Sequence, residues 1–420
     1  MSELIHTARE AEATAAPPPD QDAPSVLDVL RLTMAPGLGP VLIERLLAKF
    51  GTAARICEAS QAELRVVEGI GATRARAFAE SFATSLNSAR AEMDRAASMG
   101  ISIVVKGGPG YPELMSPLPD APAILYIRGE IRSHDLDRYP VAMVGSRACT
   151  SYGLEQSRRF AGFLSRAGMT IASGGARGID SAAHRAAIDA GGRTIAVLGC
   201  GLAKCYPPEN EALFADIARA GAVISELPLD TPPNAENFPA RNRIISGLSL
   251  GVLVIEAGLR SGALITARQA AEDHGRDVMA LPGRVDSKAS EGSLELIKSG
   301  GAALVTDPAD VIACLDSATR HLAKGTHAAR YTPLQTASAR DGSESLFSGD
   351  ANAASVATAQ IAPAINDPLA ARILEALDVP RTPEDLARRL TLEMPRLRAH
   401  LTLMEMRRQV VRRGSFMDRA

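Results

Sequence analysis

The sequence predicts an α/β protein: a Rossmann-like, doubly wound, mostly parallel sheet with a helical domain before it and a winged-helix domain after it. Three observations point there. Between about residues 101 and 315, short apolar runs alternate with helical patterns, and near-continuous apolar strands of this kind form parallel sheets covered on both faces. Several runs end in turns rich in glycine and arginine, such as Val141-Ala142-Met143-Val144 before Gly145-Ser146-Arg147. On both sides of this block the pattern becomes helical.

Taken from the N-terminus, residues 1–24 read as a disordered tail, because Ala16-Pro17-Pro18-Pro19-Asp20 cannot pack. Residues 25–98 read as a helical domain of helix-hairpin-helix (SAM-like) type with a loose internal repeat. Pro36-Gly37-Leu38-Gly39 leads into Val41-Leu42-Ile43, and Glu68-Gly69-Ile70-Gly71 leads into Arg74, Arg76 and Phe78. Such turns either offer amides to a DNA backbone phosphate or only turn a small helical bundle, and Glu63 and Glu68 dilute the charge.

Residues 99–316 form the central domain. Strands are expected at Ile101–Val105, Ile124–Ile127, Val141–Val144, Thr170–Ala172, Thr194–Leu198, Val223–Ser225, Val252–Ile255, Val278–Ala280 and Ala303–Val305. Helices are expected between most of them, at Leu154–Ala167, Ser181–Ala190, Asn210–Ala220 and Ala263–His274. Residues 317–362 lack periodicity and read as a flexible linker. In 363–420, helices at Leu369–Leu377, from Thr382-Pro383 onward and at Met394–Met406 precede a short hairpin, which is the winged-helix pattern.

Composition limits the function classes. The 420 residues carry a formal net charge of −2, so any contact with nucleic acid must come from local clustering. The five cysteines are scattered, and Cys200 and Cys205 lack a nearby histidine or second pair, so no metal and no disulfide framework is expected. The N-terminus is not a signal peptide, and no apolar run is long enough to span a bilayer, which fits a cytoplasmic protein. Tryptophan is absent and aromatics make up 4%, which argues against a broad stacking platform.

The turn after Val144 lacks the dinucleotide fingerprint, so no nicotinamide cofactor is expected, and none of another kind. No Gly-x-Ser-x-Gly elbow, HExxH or Walker A lysine is present. Asp180 reads as an N-cap for Ser181–Ala190, and His184 as packing or a phosphate contact. Glu226 is a further acidic candidate, and Glu256 is placed to position Arg241 or Arg243. Turns at the carboxyl ends of parallel strands present amides at helix N-termini, and arginine adds a forked charge suited to phosphate. Arg147, Arg177, Arg241, Arg243, Arg260 and Arg268 all fall at such ends. The turn Ser173-Gly174-Gly175 and the cluster Arg241-Asn242-Arg243 belong to the expected track, and Ser146, Ser173, Ser261 and Thr266 add hydroxyls.

The order of motifs from Tyr111-Pro112 to about Val311 closely resembles the DNA-processing protein A family, also called Smf. The matching pieces include Val144-Gly145-Ser146-Arg147, Ser173 to Asp180 with Ala183-His184, and Ala196 to Gly201. They continue with Tyr206-Pro207, Phe238-Pro239 with Arg241-Asn242-Arg243, Glu256-Ala257, Ser261-Gly262 with Thr266, and Pro282-Gly283. The resemblance implies a cytoplasmic homodimer, not an enzyme, that binds single-stranded DNA, protects incoming DNA in natural transformation and hands it to the RecA recombinase. It implies that Arg147 contacts DNA, with Gly145, Ser146, Gly175, Arg177, Arg241 and Arg243 beside it. Two departures stand out. Many members carry a lysine where this chain has Pro208, leaving Lys204 as a substitute charge, and Ser173-Gly174-Gly175-Ala176 replaces Ser-Gly-Leu-Ala, a change toward a more exposed backbone. Duplex DNA is a second ligand for the winged helix through Arg396, Arg398, Arg407, Arg408, Arg412 and Arg413, against a protein-binding module with a solvated basic face. The rival is a nucleotide phosphoribohydrolase of the same superfamily; its Pro-Gly-Gly-x-Gly-Thr turn is replaced here by Glu256-Ala257-Gly258-Leu259-Arg260-Ser261-Gly262.

Overall fold

The structure is a computed structural model and describes residues 25–323, 368–379, 381–390, 392, 397, 401, 404, 410–413 and 416–419. It opens with helices α1 (Val26–Thr33), α2 (Pro40–Phe50), α3 (Ala53–Glu58), α4 (Gln61–Leu64) and α5 (Ala72–Ser98). Side-chain caps start three of them: Ser25 on α1, Thr52 on α3, and a Ser60/Glu63 capping box on α4. Helices α2 and α5 instead start on Gly39 and Gly71, the glycines of the two repeated turns. Leu30, Ile43, Leu46, Ile56, Leu64, Phe78 and Phe82 close the helical core, which is continuous with one face of the sheet through Tyr126, Leu198 and Phe214.

Strands β1 (Ile101–Val105), β2 (Ile124–Gly129), β3 (Pro140–Val144), β4 (Thr170–Ser173), β5 (Thr194–Val197), β6 (Ala222–Ser225), β7 (Gly251–Val254), β8 (Asp277–Ala280) and β9 (Ala303–Leu304) form one sheet in the order β1-β2-β6-β5-β4-β3-β7-β8-β9. From β6 to β9 every pairing is parallel, while β1–β2 and β2–β6 are antiparallel. Helices α6 (Ser151–Arg166), α7 (Ile179–Asp189), α8 (Glu211–Ala220), α9 (Asn237–Gly247), α10 (Gly262–Arg268) and α11 (Glu291–Lys298) connect the strands from β3 to β9, and α12 (Pro308–Ala323) follows β9. Strands β3 to β7 are buried at every position, as their mostly apolar runs predict, the hydroxyl residues Thr170, Ser173, Thr194 and Ser225 included. The sheet is therefore Rossmann-like and mostly parallel, with an antiparallel pair on one edge.

Strand order fixes where a ligand can sit. From β3 the chain steps outward through β4, β5 and β6, then crosses back to place β7, β8 and β9 on the other side. The loops after β3 and β7 thus diverge at a topological switch point, where open α/β sheets leave a crevice. Two differences from the expected elements follow from packing. Helix α10 passes into a π-helical turn at Gln269–Asp273, and α12 continues to Ala323, into the stretch expected as linker. Leu315, Ala318 and Thr319 are buried there, so the helix stays packed as far as Thr319.

At the C-terminal end, α13 (Pro368–Ala376), α14 (Pro383–Leu390) and the antiparallel pair β10 (Val410–Arg413) and β11 (Phe416–Arg419) are described. Ile373, Leu386, Leu397, Leu401, Met404, Val410 and Met417 share a small core of their own. The tail 1–24, most of the linker, and Arg396, Arg398, Arg407 and Arg408 lie outside the described residues.

Candidate nucleic-acid interface

A cleft of about 950 Å³ opens over the switch point. Its floor and one flank are Gly145-Ser146-Arg147-Ala148 after β3, with Asn242 and Arg241 of α9; its other flank is Leu259-Arg260-Ser261-Gly262 after β7, with Ile265 and Thr266 of α10 and Lys288 after β8. Tyr206 and Phe238 close it on the β5 side, their ring centroids 5.4 Å apart. A smaller pocket adjoins it, sharing Arg147, Ala176, Tyr206, Phe238 and Arg241 and adding Gly174, Arg177, Gly199 and Pro207.

The arginine turn is built by close packing. A Cβ at Gly145 would lie 2.5 Å from Ile179 Cγ1 and 3.0 Å from the Glu256 carbonyl oxygen, so only glycine lets this loop rest on α7 and β7. Gly178 has a φ of +76°, and a Cβ there would sit 2.5 Å from the Ser146 carbonyl oxygen. Ser146 N–H donates to the Glu256 carbonyl at 2.8 Å, and Ala148 N–H donates to Ser146 Oγ at 3.2 Å. Glu256 is 2% exposed; its carboxylate accepts from Thr150 N–H at 2.7 Å and from Thr150 Oγ1 at 2.6 Å. It therefore holds the start of α6, and not Arg241 or Arg243 as the sequence reading had it.

The cations expected to form a track divide sharply. Arg147 is exposed, lies 5.1 Å over the Phe238 ring, and makes no ion pair among the described residues. Arg260 and Lys288, also exposed, are likewise without an ion pair among the described residues. Arg177 pairs with Glu209, Arg243 pairs with Glu226 and donates to the Asp120 carbonyl at 2.6 Å, and Lys204 pairs with Asp230 at 3.2 Å. Asp230 is also held by Arg95 of α5. Neither Lys204 nor Arg243 lines the cleft.

Arg241 lies beneath the surface at 5% exposed. Its guanidinium donates to the Gly174 carbonyl at 2.7 Å and to the Val197 carbonyl, tying the ends of β4 and β5 to α9. Burial lowers it to about 10, although Asp180 nearby favours its charge. Asp180 is not the N-cap; Gly178 is, and Asp180 accepts from Ala176 N–H at 3.3 Å. Burial pushes the Asp180 carboxyl up to about 6 against the pull of Arg241. His184 is fully buried and is pushed down to about 3 by burial and by Arg241; its Nδ1 is 2.6 Å from Thr194 Oγ1. Packing, not phosphate contact, is thus its place.

The remaining expected residues also separate. Gly145, Ser146, Asn242, Ser261 and Thr266 line the cleft. Asn242 Nδ2 donates to the Gly262 carbonyl at 3.3 Å, and Ser261 caps α10. Ser173 is buried and its hydroxyl donates to the Met143 carbonyl at 2.6 Å. Gly174 and Gly175 are buried, so their backbone is not the exposed one expected; the Gly175 carbonyl accepts from Asn210 at 3.0 Å. The sequence reading missed Lys288, Leu259 and Ile265 as cleft residues. The rule that ligands sit beyond the carboxyl ends of parallel strands reaches Lys288 once β8 is recognised.

A family model described as DNA recombination-mediator protein A matches residues 102–316. The chain belongs to this family. Models of a SAM-like helix-hairpin-helix tandem and of a DprA winged helix domain match residues 29–81 and 357–414. Among relatives, Protein Smf of Escherichia coli (strain K12) is 47% identical over 226 residues, which cover 54% of this chain and 59% of that protein. The DNA processing protein DprA of Streptococcus pneumoniae (strain ATCC BAA-255 / R6) is 46% identical over 204 residues, 48% of this chain and 70% of that protein. The solved structure of DNA processing protein A (DprA) from Streptococcus pneumoniae superposes with a TM-score of 0.61 at 35% identity, covering 69% of this chain and 98% of that one. No helix among the described residues is long and apolar enough to cross a membrane.

Proposed function

We propose that the cleft binds single-stranded DNA through its backbone phosphates, with Arg147 as the principal contact. The observation that carries this reading is the exposed Arg147 guanidinium, without an ion pair among the described residues, held over Phe238 at the mouth of a switch-point crevice. Ser146, Asn242 and Ser261 supply neutral hydrogen bonds, Thr266 being buried beneath them, and Arg260 and Lys288 supply further charge along the other flank. Arg241 serves this site from below, holding Gly174 and Phe238 in place rather than meeting phosphate. Pairing of two subunits would join two short tracks and raise avidity. The homodimer, the protection of incoming DNA and its transfer to RecA rest on family membership, as does the cytoplasmic setting.

A binding role, not catalysis, fits the acidic residues that follow β4, β6 and β7; the exposed Glu291 is the other carboxylate in the cleft lining. The Glu256 carboxylate is spent on Thr150, Glu226 is paired with Arg243, and Asp180 lies under the floor of the cleft. The phosphoribohydrolase reading therefore lacks an accessible carboxylate at the turn after β7. The test is equilibrium binding of fluorescent oligo-dT and of a duplex of equal length across a salt series. Tighter binding of oligo-dT, weakening steeply with salt, supports the reading; equal binding of both moves the site to the winged helix. Release of free base from a nucleoside monophosphate would favour the enzyme instead.

A further inference from the structure

Two large apolar side chains stand in the cleft without a fold-related reason. Leu259, in the turn after β7, is 59% exposed, and Ile265, on α10, is 41% exposed. Their neighbours Ala257, Ala263 and Ala267 face the core and are buried, so α10 is already anchored without Ile265. Both side chains line the same cleft as Arg147, and strand order puts them on the β7 flank, across the β3 loop from Tyr206 and Phe238. Arg260 adjoins Leu259 in the chain, and Lys288 lines the same flank. The carboxylates in the lining are Glu291 and the buried Asp180.

We propose that Leu259 and Ile265 form a base-contacting wall that makes the cleft selective for single strands. The inference rests on the phosphate-binding reading above and adds what that reading lacks, because phosphates alone do not distinguish one strand from two. Apolar surface gains nothing from a phosphate, but it gains from the faces and edges of unstacked bases. A duplex hides those faces within its own stack, so only a single strand can present bases to one flank while its phosphates meet Arg147. The neighbouring cations Arg260 and Lys288, without an ion pair among the described residues, make nucleic acid the occupant that matches both the charge and the apolar character of this flank.

The test uses the full chain carrying Leu259→Ser and Ile265→Thr, with Leu259→Ser alone as a variant in a turn where folding is least affected. Binding is measured to oligo-dT and to an abasic oligonucleotide of the same length, which keeps every phosphate and lacks every base. The double variant is expected to lose about tenfold in affinity for oligo-dT with an unchanged salt slope, and to bind the abasic strand as the parent does. Equal loss on both strands, or no loss on oligo-dT, overturns the proposal. Equal loss accompanied by a change in sedimentation would assign the wall to contact with a second copy of the chain. In either case, a loss of affinity and salt slope in Arg147→Ala would leave the phosphate site standing, so the two readings fail separately.

Discussion

Replacing Arg147 by alanine separates binding from folding more cleanly than any other change in the cleft. The guanidinium is exposed, lies 5.1 Å over the Phe238 ring and makes no ion pair among the described residues; it also favours the charged form of Asp180, which keeps the pull of Arg241 when Arg147 is removed. The cost to folding is the loss of one exposed cation–π contact, about 0.5–1 kcal/mol. The cost to binding is larger. A charged hydrogen bond to phosphate is worth about 1.5–3 kcal/mol, which corresponds to roughly 10- to 150-fold in Kd. Removing one phosphate contact also lowers the slope of log K against log salt by about 0.7 on a single strand. Fluorescence anisotropy with labelled oligo-dT at four or more salt concentrations reads both quantities, and a thermal melt reads the folding cost. An unchanged Kd with an unchanged slope would refute the assignment, whatever the melt shows.

Three further outcomes follow from other groups. Asp180 and His184 titrate in opposition: stability from Asp180, whose carboxyl is raised from 3.8 to about 6, is present below the lower value and lost as pH rises to the upper one. Stability from the neutral His184, lowered from 6.5 to about 3, is present above 6.5 and lost as pH falls. The two slopes cancel between about pH 4 and 6, so Asp180→Asn should expose the histidine slope and make urea stability fall by roughly 3 kcal/mol from pH 6 to 4; no change in pH dependence would count against the buried cluster. Asp230→Asn frees Arg95 and Lys204, and should tighten oligo-dT binding about two- to threefold at low salt, an effect that 0.5 M salt removes; weaker binding would contradict it. Glu256→Ala leaves Thr150 N–H unpaired at the start of α6, and should lower urea stability by about 1–3 kcal/mol and weaken oligo-dT binding, with the salt slope retained because no phosphate contact is lost.

Sequence pattern disclosed the frame of this site but not its wiring. All nine strands of the large sheet stand out as short, mostly apolar runs ended by turn residues; β3 to β7 are buried throughout, while β1, β8 and β9 keep exposed positions at Ser102, Asp277, Ala303 and Leu304. The antiparallel attachment of β1 and β2 does not show, since buried strands read alike in either direction. Likewise, a glycine-arginine turn is visible as a motif, but the partner that neutralises the arginine is not. Glu209 lies 32 residues from Arg177, and Glu226 lies 17 from Arg243, on separate elements. Arg147 has no such partner among the described residues, and its loop is held against α7 and Glu256 through glycine and main-chain contacts that leave the guanidinium exposed. Ile265 was hidden for a different reason: on a helix whose other apolar positions face the core, nothing in the sequence marks the one that faces the cleft.

The most direct measurement is photocrosslinking of a 5-bromouracil-substituted single strand to the full chain, with the linked residues read by mass spectrometry. The account predicts crosslinks on the cleft, at Tyr206 and Phe238 and in the turn 258–262, with their loss in Arg147→Ala. Crosslinks confined to residues 363–420, or unaffected by Arg147→Ala, would contradict it.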